Sequence, residues 1–269
     1  MWRDELDTAR EAARLAGDVL SDMAGRTNRI RKKGAIDLVT EADLRSEAVI
    51  FDLLERRFPN DAVLSEESEA RTGSSGRTWI VDPLDGTVNF AHGFPFYAVS
   101  IALEARGEMV VGVVRNPLSG EQWEAVRGEG AFLNGVRLSV SPTRELDDAL
   151  LATGFPYDIR EEPERVLRLF NTLILRARGL RRAGSAALDL CLVADGRADG
   201  FWEEKLHPWD TAAGILLVRE AGGLVTTFHG TPFHPKDKTL VAGNPPVHRA
   251  LIRIISSEME RESSPDDAR

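Results

Sequence analysis

The chain has 269 residues, of which 42% are hydrophobic and 29% charged, with a formal net charge of −9. That length and ordinary composition suit a soluble protein able to bury a sizeable core, and no apolar run approaches the roughly 20 residues of a membrane helix. The acidity argues against a general polyanion binder, whose affinity comes from clustered Lys and Arg.

The opening "MWRDELDTAR" holds acidic residues and lacks the apolar stretch of a secretory signal, so a cytoplasmic location is expected, with neither membrane nor nucleic acid as partner. Trp2, Leu6, Ala9, Ala13, Ala16 and Leu20 recur at helical spacing and predict a helix ending near Gly25. "IRKKGAIDLVT" reads as strand material. Thr40 stands three residues before Asp43, as in an N-terminal capping box, and opens a second helix with Leu44, Ala48, Phe51, Leu54 and Phe58 inward and Pro59 as its stop.

Short β-rich runs follow: "AVL", "WIVD", "YAVSIALE", "MVVGVV" and "EQWEAV" predict a mostly antiparallel sheet. Asn134–Gly135 between "AFL" and "VRLSV" is a favoured hairpin pair, since both positions tolerate positive φ. From about residue 145 the pattern alternates: "ALLATG" as strand, 161–179 and 185–194 as helices, "ADGFW" as strand, 210–221 as helix, "GLVTT" and "LVAGN" as strands, and a last helix from about 246. The expected fold class is α/β, an α+β layered sandwich. It would form a single domain over about 1–260, with an α+β half over about 1–144 and an α/β half over about 145–260. The polar, acidic stretch 261–269 is expected to be disordered.

The lone cysteine, Cys191, lies in the apolar run "ALDLCLVA" and reads as a small buried hydrophobe. The carboxylates are more informative. In "WIVDPLDGT" Asp82 and Asp85 flank Pro83, which cannot donate to a sheet ladder, and Gly86 allows a tight turn. Two acids brought together repel unless one is protonated or a cation stands between them, and oxygen-only ligands favour Mg²⁺, Mn²⁺ or Ca²⁺ over zinc. "LSEES" adds Glu66 and Glu67, and "HPWDTAAG" adds Asp210 before a helix. Each alone reads equally as a solvated loop acid or a helix cap, whereas together they suggest one shared pocket.

"DLVTEAD", "SEES", "WIVDPLDGTVNFAHGFPFYAVSIAL" and "WDTAAGILLVREAGG" resemble, in order, the successive signatures of the inositol monophosphatase family, across about residues 5–255. The resemblance implies the layered fold shared with fructose-1,6-bisphosphatase. It also implies a Mg²⁺-dependent, Li⁺-sensitive phosphatase with two or three Mg²⁺ ions per site, working as a homodimer on a small-molecule phosphate monoester. By the same resemblance Glu66, Asp82, Asp85, Asp210 and the carbonyl of Leu84 bind the metal, with Asp82 bridging two ions and Glu67 acting at most through water. Gly86 and Thr87 would meet the phosphate, and Asp43 with Thr87 would orient the attacking water, unless Asp43 only caps its helix.

Gly184, Ser185, Ala186 and Glu203 match the family's polyol pocket, with Ser185 where Thr is common; Asp85 and Asp210 would also border substrate. Glu204 reads as solvent-facing. Lys33 is either near the site or a solvated charge. His92 and His207 read as positioning residues rather than catalysts, and Trp79, Phe94, Phe96 and Tyr97 as core or interface packing. Ser65 stands where the family often has Gly and is tolerable unless the backbone there needs positive φ. The implied substrate is myo-inositol monophosphate or a similar polyol phosphate. The alternatives are fructose 1,6-bisphosphate, histidinol phosphate or a 3′-phosphonucleotide, or a mainly regulatory role of the kind linked to RNA-associated machinery in some bacterial members.

Overall fold

The computed structural model describes residues 2–25, 30–32 and 38–262. Lys33 and residues 263–269 lie outside the described residues. The first helix, α1 (Arg3–Met23), buries Ala9, Ala12, Ala13, Ala16 and Leu20, the face expected from their spacing. An antiparallel ribbon, β1 (Ile30–Lys32) with β2 (Leu38–Thr40), leads into α2 (Glu41–Arg57), whose Thr40/Asp43 capping box forms.

A seven-stranded sheet follows: β3 (Ala62–Ser65), β4 (Arg77–Asp85), β5 (Ala98–Ala105), β6 (Glu108–Arg115), β7 (Gln122–Val126), β8 (Gly130–Leu133) and β9 (Val136–Arg137). They are hydrogen-bonded in chain order, and only β3 and β4 run parallel. Asn134 and Gly135 make the expected β8–β9 turn with φ of 47° and 82°. Between β4 and β5 sits a short helix, α3 (Thr87–His92).

The second sheet has the order β11 (Gly179–Arg181), β10 (Leu150–Thr153), β12 (Gly200–Glu204), β14 (Thr239–Gly243) and β13 (Leu224–Thr226). Its first two pairings are parallel and its last two antiparallel. Around it lie α4 (Glu164–Ile174), α5 (Ala186–Ala194), α6 (Pro208–Glu220) and α7 (Pro245–Glu262). The helix expected over 161–179 is therefore shorter. It stops at Ile174, and Gly179–Arg181 pairs with β10 as an edge strand. Such a three-residue strand is too short to show a period in the sequence.

Alternation along the strands sorts the core into layers. Trp79, Val81, Val99, Ile101 and Leu103 turn to α1 and α2. Ile80, Ala98, Ala102 and Val114 turn to α5 and α6, which also pack on Phe201 and Ala242 of the second sheet. Trp202, Val241 and Leu151 pack on the far side with Leu169 of α4 and Val247 of α7. Helix pair, sheet, helix pair, sheet, helix pair is the layered α/β sandwich expected. Each large side chain so buried contributes roughly 1.5–3 kcal/mol. Among the described residues no helix is long and apolar enough to cross a membrane.

Candidate active site

The inward face of α2 is not the apolar one expected. Leu44 and Ala48 are exposed, and the buried set includes Asp43, Ser46 and Glu47. The helix is rotated so that polar side chains hold three loops. Glu47 Oε1 accepts hydrogen bonds from Ser65 Oγ (2.5 Å) and Ser68 Oγ (3.0 Å), which brackets Glu66 between two fixed neighbours. Ser46 Oγ donates to the Pro83 carbonyl (2.7 Å), and Thr87 Oγ1 donates to Asp43 Oδ1 (3.0 Å). Ser65 does not have positive φ, so the family's frequent Gly is not required there.

Strand β4 does not stop at Pro83. Asp82 pairs with Ser100 and Asp85 with Ala98, so three steps on β4 match two on β5. That β-bulge changes the chemistry. Strict alternation would put Asp82 and Asp85 on opposite faces, whereas the extra residue turns both inward beside Ser100 and Ala98. Gly86 ends the strand at φ +93°, and a Cβ there would lie 3.0 Å from the Phe96 carbonyl and 3.3 Å from that of Gly184. Only glycine satisfies both the conformation and the crowding.

One cavity of about 230 Å³ is bordered by Glu66, Asp82, Leu84, Asp85, Gly86, Thr87, Gly184, Ser185, Ala186, Glu203 and Asp210. Asp43 lies just beneath, through Thr87. Every site residue expected from the sequence is thus brought together. Asp85 Oδ2 accepts from Ser185 Oγ (2.6 Å) and Ala187 N (2.8 Å), joining β4 to the start of α5. Asp210, third residue of α6, accepts from His207 N (2.7 Å), and Asp82 from Leu84 N (3.0 Å).

Burial, then the charges of Glu66, Asp85 and Asp210, push the Asp82 carboxyl well above the usual carboxylate range. Burial pushes Asp85 up to about 6 against its hydrogen bonds from Ser185, Ala187 and Ala186. Asp210 is raised well above the usual range by burial and then by Asp85. Burial also raises Asp43, while Thr40 and Thr87 pull it back. The leading influence that holds each of Asp82, Asp85 and Asp210 down is hydrogen bonding, from Leu84, from Ser185, Ala187 and Ala186, and from His207 respectively.

Among the described residues no three of Asp, Glu, His or Cys already stand at metal-holding spacing, because Asp85 leans to α5 and Asp210 caps α6. The donor set nonetheless fits a hard divalent cation. It is oxygen-only, buried at Asp82 and half-buried at Glu66, Asp85 and Asp210, mutually repulsive and supplied by several loops, so a cation entering between them would relieve the repulsion.

Several residues depart from expectation. Glu204 is buried and faces Arg165 Nε at 2.8 Å, since β12 is a central strand covered on both faces. Phe94 is exposed, whereas Trp79 and Tyr97 are core. His92 Nδ1 contacts the Val88 carbonyl (2.8 Å), and His207 stacks on Trp209. Burial raises the Cys191 thiol well above its ordinary value, as suits a core residue. Sequence reasoning missed Asp189 and Arg182, which border the cavity beside Glu203. The available signal was one carboxylate inside the otherwise apolar "ALDLCLVA".

A family model described as the inositol monophosphatase family matches residues 2–260. "Nus factor SuhB" of Escherichia coli (strain K12) is 42% identical over 257 residues, covering 94% of this chain and 96% of that protein. "Inositol-1-monophosphatase" of Synechocystis sp. is 42% identical over 258 residues, covering 94% and 88%. The crystal structure of extragenic suppressor protein suhB from Bartonella henselae superposes with a TM-score of 0.90 at 44% identity, covering 94% and 98%. With that family model spanning residues 2–260, and so elements of every layer of the sandwich, the chain belongs to the inositol monophosphatase family.

Proposed function

We propose that the protein is a Mg²⁺-dependent phosphomonoesterase that hydrolyses myo-inositol monophosphate or a similar polyol phosphate to the alcohol and inorganic phosphate. The observation that carries this reading is four acids, Glu66, Asp82, Asp85 and Asp210, bordering one cavity, with Asp82 and Asp210 held above the usual carboxylate range by burial and by the charges of the others. Family membership supports a phosphatase, and the Synechocystis relative's name supports inositol phosphate as substrate.

In this reading those four carboxylates and the Leu84 carbonyl hold two or three Mg²⁺ ions. Bound Mg²⁺ supplies charge neutralisation for the transferred phosphoryl group and leaving alkoxide, and acidifies a water. The chain's own groups do the positioning. The Thr87 hydroxyl has one proton and two acceptors in reach, Asp43 Oδ1 at 3.0 Å and the Leu84 carbonyl at 3.1 Å, so it is fixed at the cavity floor with a lone pair free to orient the attacking water. The backbone N–H groups of Gly86 and Thr87 face the phosphate, and Gly184, Ser185, Ala186 and Glu203 face the polyol. A homodimer in the cytoplasm completes the reading.

Phosphate release is to be measured on myo-inositol 1-phosphate, fructose 1,6-bisphosphate, histidinol phosphate and a 3′-phosphonucleotide, with Mg²⁺ titrated and Li⁺ as challenge. We expect the inositol ester to lead, Li⁺ to inhibit, and Asp210→Asn to lose about 100-fold or more while staying folded. Full activity of that variant at saturating Mg²⁺ overturns the assignment. A regulatory binding role beside catalysis is the second reading, favoured by the Nus factor name of relatives at 42% identity.

A further inference from the structure

Asp189 is the fourth residue of α5, one turn beyond the Ser185 and Ala187 groups that hold Asp85. Its neighbours on that helix, Ala186, Ala187, Leu188, Leu190, Cys191, Val193 and Ala194, are buried and apolar. Asp189 itself is 1% exposed, and its Oδ1 has no hydrogen-bond partner. A carboxylate placed without a donor in such surroundings is costly. A helix needing only to pack would carry leucine there. The side chain is not isolated from everything, however, because it borders the cavity.

Glu203 of β12 borders the same cavity, and among charges Asp189 acts most strongly on it. The Glu203 carboxyl lies against Gly154, where a Cβ would stand 2.1 Å from both carboxylate oxygens. The missing side chain at 154 therefore makes room for that acid. Arg182, with its guanidinium over the Phe155 ring at 5.4 Å, is the cation acting on both carboxyls. Burial raises both carboxyls, and the Asp85 carboxyl acts on both as well. The unpartnered Oδ1 of Asp189 and the Glu203 carboxyl beside it are acceptors that hydroxyl hydrogens can fill, while the Arg182 guanidinium next to them repels a substrate ammonium.

Resting on the phosphatase reading, we infer that Asp189 is a specificity-determining residue, which with Glu203 receives two neighbouring hydroxyls of the substrate's polyol. Glu203 comes from a strand and Asp189 from a helix, so their spacing is set by two rigid elements. The chemistry at Asp82, Asp85 and Asp210 does not require either.

The test compares wild type, Asp189→Asn and Asp189→Ala in Mg²⁺ on three probes: myo-inositol 1-phosphate, phenyl phosphate, which lacks hydroxyls, and 2-aminoethyl phosphate. For Asp189→Ala we expect kcat/KM on the inositol ester to fall about 10- to 100-fold, with phenyl phosphate changed less than about twofold. Asp189→Asn, which keeps one acceptor and nearly the same shape, should fall less and melt no lower than wild type. An equal fall on all three probes means a merely structural residue and overturns the inference. So does a fall confined to 2-aminoethyl phosphate. Should wild type hydrolyse none of the probes, the phosphatase reading fails by itself. Calorimetric binding of myo-inositol 1-phosphate to wild type and Asp189→Ala then decides the contact, and equal affinities overturn it.

Discussion

Two sets of buried or half-buried aspartates in this protein differ in how many donors meet them. Asp61 accepts from Arg77 Nε and Trp79 Nε1, both at 3.0 Å, and Asp199 from Ser141 Oγ (2.5 Å) and Leu150 N (2.6 Å). Asp43 accepts from Thr40 N, Thr40 Oγ1 and Thr87 Oγ1. By contrast, among the described residues Asp82 accepts from Leu84 N, Asp210 from His207 N and Asp189 Oδ1 from nothing, while Asp85 accepts from Ser185 Oγ and Ala187 N through one oxygen, Oδ2. The first group is finished as built. The second is left with acceptor capacity turned to a cavity, the signature of a site expecting ligands. Burial alone does not separate the groups, since all of these acids are less than 10% exposed except Asp85 and Asp210.

The largest expected effects come from exchanging the two groups' fates. Asp61→Ala strands the Trp79 indole N–H and removes one of the two acids holding the Arg77 guanidinium, Glu5 being the other, so it should destabilise the fold by about 2–4 kcal/mol while leaving phosphate release per folded molecule unchanged. Asp82→Asn should do the reverse. It removes a charge that its neighbours oppose, so cation-free stability should hold or rise, while phosphate release at saturating Mg²⁺ drops by about 100-fold or more. Denaturant melts paired with phosphate release read both variants. If Asp82→Asn destabilises as much as Asp61→Ala, donor count does not distinguish structural from functional acids here.

Legibility in the sequence followed the same division. Helix α1 was readable because one face meets one apolar layer, α6 because it is apolar all round between two sheets, and the Asn134–Gly135 turn because both positions need positive φ. The phase of α2 was not, because its inward face meets loops and therefore carries Asp43, Ser46 and Glu47, which pattern-reading assigns to solvent. The site acids were readable as short motifs. The bulge that puts Asp82 and Asp85 on one face was hidden, since it depends on pairing with β5. Glu204 was misplaced because its partner, Arg165, is distant in sequence, and β11 was absorbed into a helix because it is three residues long.

A smaller effect sharpens the comparison from within α2. Glu47 accepts from Ser65 and Ser68 through one oxygen, Oε1, and touches neither the phosphate nor the ester in the proposed reading. Its role would be to hold the loop that carries Glu66. Glu47→Ala should raise the Mg²⁺ concentration for half-maximal rate by about tenfold with a stability loss of about 1–2 kcal/mol, and saturating Mg²⁺ should recover most of kcat. A kcat loss that Mg²⁺ cannot restore would place Glu47 among the groups acting directly on the chemistry.

The smallest effect concerns a buried base rather than an acid. His248 of α7 is 4% exposed, its Nε2 meets Thr226 Oγ1 at 2.9 Å, and its Nδ1 has no partner. Burial, aided by the nearby Arg249, lowers its pKa from near 6.5 to about 4. Between those values the unfolded chain binds a proton that the folded chain refuses, so unfolding takes up protons and stability rises with pH. His248 therefore leaves stability intact above about pH 6.5, subtracts from it as pH falls toward 4, and adds no further slope below. The carboxylates of the cavity titrate in an overlapping range, so the readout is the difference between wild type and His248→Gln, measured by denaturant melts from pH 7 to pH 4. Gln keeps a polar partner for Thr226 without a titrating group, and the wild-type slope should exceed the variant's by up to one proton per molecule. Parallel slopes would mean that His248 takes up its proton in the fold, through the unpartnered Nδ1, as readily as in the open chain.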